Sequence, residues 1–596
     1  MVTKRQDPVV VVKLVFLQAA LGAAQPEEHR EMAELKPAKE GGQAEEITGM
    51  VCLESDLKDG EMREVEVGSH KVLLVRSEGG YSAVGNLCTH YGATLSKGAL
   101  SGSRVRCPWH GACFNIKTGD IEEYPGLDSL PCHKVKIENS KVLVSINKKD
   151  LEKTRRVKEM GCRVAGDSST VLIIGGGPAA LVCAETLRQG SYGGRIIMAT
   201  KEELPPYDRT KLSKAMNVKA DSILLRQLDF YQSCDIEVWL RREAVSVNTD
   251  KKTVTFQDGS VQHYDQLLIA TGSRPREVTC PGADLDNVTL LRTPEDSSRI
   301  HQAALGKNVV ILGTSFIGME VASYLSATAS SVSVIGNSAV PYQNTLGTEI
   351  GRVARKMLEE KNVKFYMEDG VMELRGENGK VKQVLLKSGK ILPADVFVTG
   401  IGVQPNSAFL KGSTVALDST GAVIVDKFMQ TGVPGVFAAG DVTSFPLSLR
   451  KDKMVNIGHW QLAHAHGRIA ALNMLKKRVG INSVPFFWTM LMGKSFRYAG
   501  RVSAGVFSSF LYGKPGSVLS CVCIAGYGEG HTEVIMKGKV EEMKFLAFYI
   551  KEDVVVAVAS LNFDPSVSQV AEIMASGRTI SKAQAKSDDM SWLKLP

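Results

Sequence analysis

Two short segments constrain this chain more than anything else in it: Cys88-Thr-His90 and, after 16 intervening residues, Cys107-Pro-Trp-His110-Gly. Each offers one thiolate and one imidazole. Two thiolates on one iron and two imidazoles on the other is the donor set of one kind of [2Fe–2S] centre, and each loop can give one ligand to each iron. The same four residues could instead hold a zinc ion tetrahedrally. Zinc knuckles are more often tighter than these, and the second loop's Pro108 and trailing Gly-Ala-Cys-Phe-Asn suit a cluster loop. On a third reading these are two unrelated cysteines and surface histidines; the paired spacing inside a β-rich stretch speaks against it. The first two readings require the two loops to meet in space.

That stretch spans 46–147. Short β-rich runs such as MREVEV and HKVLLVR alternate with glycine and Asn/Ser turns, as in a small all-β domain. Residues 1–45 ahead of it read as a disordered or targeting segment. Lys4 and Arg5 precede an apolar run from Val9 to Ala24 that Lys13 and Gln18 break, too short for a membrane span, and 25–45 are charged. The basic segment 148–168 reads as an interdomain linker, partly helical. No later stretch has the roughly 18 unbroken apolar residues of a transmembrane helix.

After Thr170 the texture becomes alternating strand and helix. A buried strand (VLII) meets Gly175-Gly-Gly177-Pro-Ala-Ala180 and then a helical run. The first glycine allows the tight turn, the second lets the backbone approach a pyrophosphate, Ala180 permits close helix packing, and the helix N-terminus stabilises the anion. The pattern returns at Asn308: strand, Gly313-Thr-Ser315-Phe-Ile-Gly318-Met-Glu320, helix, strand. Two such openings imply two dinucleotide-binding modules. In the second, Ser315 stands where a glycine is usual, and the acid expected after the next strand is Gly336, with no arginine in its place.

Residues 46–147 resemble Rieske ferredoxins through CTHYGATL and VRCPWHGACFNIKTGD. The resemblance makes Cys88, His90, Cys107 and His110 the ligands of a Rieske-type [2Fe–2S] cluster. High-potential relatives carry an extra cysteine on each loop; those positions here are Ala93 and Trp109. A hydroxyl that would donate to a cluster sulfide is replaced by Ala112. Fewer hydrogen bonds to sulfur imply a low potential.

Residues 170–475 resemble the FAD-binding framework of ferredoxin reductases and apoptosis-inducing-factor-like flavoproteins. The motifs are Gly175 to Ala180, PPYDR ending in Arg209, LSK ending in Lys214, ATG ending in Gly272, VFAAGD with Gly440 and Asp441, and HWQ with Trp460. The resemblance places Arg209 and Lys214 along FAD and its pyrophosphate, Asp441 on the ribityl hydroxyls and Trp460 near the flavin edge. Lys201 occupies the position of the usual ribose-binding acid, so Glu202 is the expected substitute. Gly313, Ser315, Gly318 and Glu320 fall to NAD(P)H. The match continues to the C-terminus, through WTMLMGKSFRYAG and AVASLNFDP, and the chain resembles the Rieske-bearing branch of this family.

The expected fold is multidomain. An all-β Rieske domain (46–147) and a linker (148–168) precede two α/β Rossmann units of glutathione-reductase type: FAD-binding at 169–293 and 428–480, NAD(P)-binding at 294–427. An α+β C-terminal domain follows at 481–596. Within it the block 501–526, apolar, Gly/Ser-rich and without one acid, interrupts the family pattern; it reads as retained non-coding sequence, or else as a flexible surface insertion.

The implied activity is an NAD(P)H-dependent flavin oxidoreductase that passes electrons from FAD to the cluster and on to an unknown acceptor, with a role in apoptosis. The alternative is a redox-sensing pro-apoptotic signalling protein with little turnover, which the weakened positions Lys201 and Gly336 favour. A Rieske oxygenase is disfavoured because no 2-His-1-carboxylate triad is evident; His459, His464 and His466 read as packing or surface residues. The net charge of +8 is spread along the chain without a basic arm, so nucleic acid is not an expected partner. Eleven cysteines with no CxxC pair fit a reduced intracellular protein. The expected compartment is mitochondrion or cytoplasm, and homodimer formation stays open.

Overall fold

The computed structural model describes residues 45–500 and 530–595. The reading of the N-terminal segment and that of the block 501–526 lie outside the described residues.

The β-rich stretch forms a six-stranded antiparallel sheet, in the order Glu46–Leu53, Lys141–Asn147, Cys132–Glu138, Gly80–Gly85, His70–Ser77, Glu61–Val67. A second sheet of four short strands (Ala99–Ser101, Arg104–Arg106, Cys113–Asn115, Ile121–Glu123) carries the Cys107 loop. Linker residues 148–168 contain a single 3-10 turn, Lys148–Asp150, in place of the expected partial helix. The reason lies in Arg156. Its backbone exchanges hydrogen bonds with Ser129 at 2.7 and 2.8 Å, and its guanidinium bonds Asp120 at 2.6 Å.

Two five-stranded parallel sheets follow. The first runs Ile236–Trp239, Arg195–Ala199, Thr170–Ile174, Gln266–Ile269, Val436–Ala438. The second runs Val288–Leu290, Val396–Thr399, Asn308–Leu312, Ser331–Gly336, Lys364–Met367. Their central strands are apolar after the first residue, as strands covered on both faces are; every residue of Thr170–Ile174 is buried. In both units the strand order doubles back beside the strand that feeds the glycine turn, which puts a crevice at that strand's C-terminal end.

The C-terminal part is a five-stranded antiparallel sheet: Phe486–Leu491, Lys494–Gly500, Val554–Leu561, Lys544–Lys551, Glu533–Lys539. Helix Ser566–Ala575 packs on it. Side chains alternate across a strand, so Phe545, Ala547 and Tyr549 join the core of the second parallel unit while Leu546, Phe548 and Ile550 pack with the helix. The Rieske-like core is continuous with that of the first parallel unit: Leu73, Val84, Leu95 and Phe114 belong to one packed cluster with Val171, Ala180 and Leu462.

Candidate functional site

The two ligand loops close in the same way. Cys88 N–H donates to Ala93 O, and Cys107 N–H to Ala112 O, each at 2.8 Å. Each turn aims backbone N–H groups at its own sulfur, those of His90 and Tyr91 at Cys88 and those of Trp109 and His110 at Cys107. The two sulfurs reach each other, and the Nδ1 atoms of His90 and His110 lie 3.1 Å apart. Burial pushes the His90 imidazole down to about 4 and that of His110 well below its ordinary value. Both rings are therefore neutral, as metal ligands must be. Among the described residues, no three His, Cys, Asp or Glu side chains converge as a single ion would need. Thiol faces thiol and imidazole faces imidazole. That separation fits a two-iron centre with unlike ends and does not fit one tetrahedral zinc.

A cavity of about 740 Å³ opens at the crevice of the first parallel unit. Its wall includes Gly175, Gly177, Glu202, Arg209, Lys214, Gly272, Gly440, Asp441 and Trp460, all anticipated from sequence, and also Glu320. Gly175 sits at φ +129, where an added Cβ would collide with Ala270 O; only glycine makes this turn. The helices Pro178–Gln189 and Trp460–Met474 both begin at this wall, and neither has a side-chain cap. Their free N–H groups suit an anion. Ala180 lies beneath, fully buried. Asp441 accepts from Ser273 Oγ at 2.9 Å and keeps an oxygen at the wall. Volume, unfilled helix starts and polar groups together fit an elongated dinucleotide such as FAD.

Much of the charge in this cavity is arranged in pairs. Arg209 Nη2 donates to Glu202 at 2.5 Å, so Glu202 answers this guanidinium. Lys214 Nζ bonds Glu320 Oε2 at 2.8 Å; Ser213 donates to the same oxygen, and Thr489 Oγ1 donates to Oε1 at 2.7 Å. Glu320, assigned from sequence to the nicotinamide half, thus turns its carboxylate toward the flavin-half lysine. Arg292 stands apart from these pairs. It lines the cavity, and burial and then the neighbouring Arg209 lower its pKa, against the pull of Asp441 and Glu202, neither of which forms an ion pair with it. A half-buried guanidinium with no ion-paired carboxylate suits an anionic ligand. Nothing in the local sequence singled it out.

On the second unit, Gly313 (φ +124) and Gly318 pack against backbone: a Cβ would collide with Gly400 O at the first and with Gly313 O at the second. Ser315 starts helix Phe316–Leu325 with no side-chain cap. These three lie off the wall of the large cavity. At Gly336 a Cβ would meet Thr314 at 2.5 Å, so the position expected to carry an acid has no room for one.

The cluster loops and the cavity meet at a residue the sequence reading passed over. Trp488 lines the cavity, and its ring centroid stands 4.5 Å from that of His110 and 5.7 Å from that of His90. His459, also on the wall, lies 5.6 Å from Trp488. His464 and His466 are fully buried packing residues, as expected. Nearly four hundred residues separate Trp488 from His110 in the chain, so no local pattern could have paired them.

Family models match three segments: a Rieske [2Fe-2S] domain at 48–134, pyridine nucleotide-disulphide oxidoreductase at 169–467, and a reductase C-terminal domain at 521–595. Apoptosis-inducing factor 3 from Mus musculus and from Homo sapiens is 48% identical over 92% of this chain and 88% of its own length. Rubredoxin-NAD(+) reductase of Pseudomonas putida is 30% identical over 56% of this chain and 86% of its own. A ferredoxin reductase structure from Rhodopseudomonas palustris superposes with a TM-score of 0.64 at 25% identity, covering 72% of this chain and all of that one.

Proposed function

The chain belongs to the pyridine nucleotide-disulphide oxidoreductases, in the Rieske-bearing branch of apoptosis-inducing factor 3, and from that membership we propose how its residues divide the work of an NAD(P)H-dependent flavin oxidoreductase with a Rieske cluster. FAD, held in the cavity, would supply two-electron hydride chemistry with NAD(P)H, and a [2Fe–2S] cluster on the two loops would supply one-electron chemistry.

Cys88 and Cys107 would hold one iron, His90 and His110 the other. Gly175, Gly177 and the N-terminus of Pro178–Gln189 would seat the FAD pyrophosphate, Arg292 would neutralise it, and Asp441 would hold the ribityl chain. The Lys214–Glu320 pair would fix the flavin-facing wall, and Gly313, Ser315 and Gly318 would receive NAD(P)H. Trp488 would stand between the two redox sites. This last placement carries the reading: one indole lines the nucleotide cavity and contacts both ligand imidazoles. Trp460, at the start of its helix, would close the flavin edge.

Several relatives are named for ferredoxin or rubredoxin acceptors, and this chain carries its own ferredoxin-like domain. The acceptor beyond the cluster would then be a one-electron carrier that meets the chain at the cluster and not at the flavin. Among the described residues no helix is long and apolar enough to cross a membrane. A location in mitochondrion or cytoplasm and a homodimer are parts of the proposal that rest on the sequence reading alone.

Anaerobic stopped-flow mixing with NADH tests the reading. Flavin absorbance should bleach, and a Rieske-type EPR signal should then grow in. Flavin bleaching with no cluster signal on the turnover timescale would defeat it. Steady-state reduction of an artificial acceptor separates the enzyme from a signalling protein of the same fold: sustained turnover supports the enzyme.

A further inference from the structure

The contacts that hold the Rieske-like domain are built like a domain core. Arg106 is fully buried; its Nε donates to Glu572 of helix Ser566–Ala575, its Nη2 bonds Glu123 at 2.9 Å and its Nη1 donates to Gly111 O at 2.9 Å. Ser568, on the same helix, donates to Cys107 O at 2.9 Å, and Arg497 donates to Trp109 O at 2.9 Å. The second ligand loop is therefore held by three groups from a region more than 380 residues away. At Gly111 a Cβ would lie 2.7 Å from the Phe486 ring, so the loop fits that sheet with no space to spare.

The first parallel unit grips the other side. Arg226 bonds Asp128 of the Rieske-like domain at 2.7 Å and Glu185 of helix Pro178–Gln189 at 2.8 Å. Tyr124 stacks on His464 with centroids 5.2 Å apart, and Tyr91 donates to Asp208. A domain that leaves and returns presents a wet, weakly packed surface to its dock, since charges buried at each return must be desolvated each time. Here the charges at the contact are buried and paired, and the apolar core runs through the boundary.

Resting on the electron-transfer reading above, we propose that the Rieske-like domain is a permanently docked internal acceptor, bolted through Arg106 and Glu572, and does not shuttle between the flavin and a distant site. Arg106 and Glu572 are positioning residues: they touch neither cofactor site and act by fixing the Cys107 loop against Trp488.

Two measurements on the holoprotein test this. In stopped-flow, the rate constant for cluster reduction after flavin bleaching should not change when glycerol doubles the solvent viscosity. A rate that falls in proportion to viscosity would overturn the proposal. In thermal melting followed at flavin and cluster wavelengths, both signals should be lost in one transition; two separated transitions would overturn it. Glu572→Leu should make cluster reduction viscosity-dependent while flavin bleaching by NADH stays viscosity-independent. If that variant does not fold, the two wild-type measurements decide alone. If the cluster is never reduced, the electron-transfer reading fails and the melting curve still decides the docking.

Discussion

Trp488 and His110 stand with ring centroids 4.5 Å apart, joining the wall of a dinucleotide cavity to a ligand of the cluster loops. Contact at this distance leaves no room for water between the rings. An electron leaving the cavity by this route crosses side chains and no solvent.

Replacing Trp488 by Leu should therefore slow cluster reduction more than flavin reduction. The expected loss is about tenfold, equivalent to ~1.4 kcal/mol of barrier. Stopped-flow traces at flavin and cluster wavelengths give both rates from one experiment. Equal slowing of both would mean that the indole matters to the cavity and not to the route.

Glu320 is 3% exposed in its side chain and answers the Lys214 ammonium. Glu320→Leu strips that charge of its partner, and breaking a buried pair from one side costs ~3–5 kcal/mol. The double variant Lys214→Met/Glu320→Leu should recover most of it. Guanidinium unfolding midpoints measure both, and a double variant as weak as the single would refute the account.

The fully buried His466 accepts from Gly440 N–H at 3.3 Å, and burial pushes its pKa from 6.5 down to about 3. The unfolded chain protonates this histidine below about pH 6.5 and the folded chain does not, so the unfolded state gains as pH falls. Stability is complete above pH 6.5 and erodes toward pH 3, by about 2 kcal/mol at pH 5 for this one site. His466→Asn keeps an acceptor and removes the proton site, so its melting temperature should depend less steeply on pH between 7 and 5.

Ala112 is fully buried in the Cys107 loop. Ala112→Ser would supply a donor where relatives of high potential have one, and hydrogen bonds to the cluster sulfurs raise the potential. The native cluster should titrate below zero millivolts and the variant above the native value. A native midpoint well above zero would contradict the first expectation, and an unmoved variant the second.

What the sequence disclosed follows from how local each constraint is. Cys88 and His90 are ligands of one turn, and the glycines at 175 and 313 each serve one strand–helix junction, so short motifs carry them. Glu320 was visible as a motif residue, but its pairing with Lys214 was not, because its helix starts in one unit and directs its carboxylate at a lysine of the other. Trp488, Arg292, Arg106 and Glu572 were not visible. Each acquires its role from a partner brought near by folding, such as Arg106 and Glu572 across 466 residues. The extended course of 148–168 was hidden for the same reason, since Ser129 and Asp120 override local helix preference.

The strand Lys544–Lys551 is a party wall. Its odd-numbered side chains fill the nucleotide-binding module and its even-numbered ones fill the room where Glu572 holds the cluster loop. One thickness of backbone divides the two tenants, and interiors this dense do not absorb added volume silently. A methylene added at Ala547 would press on the nicotinamide side, and one removed at Leu546 would slacken the cluster side, with the same peptide bonds moving in both cases. Repairs to either room must therefore be drawn up with the other in view.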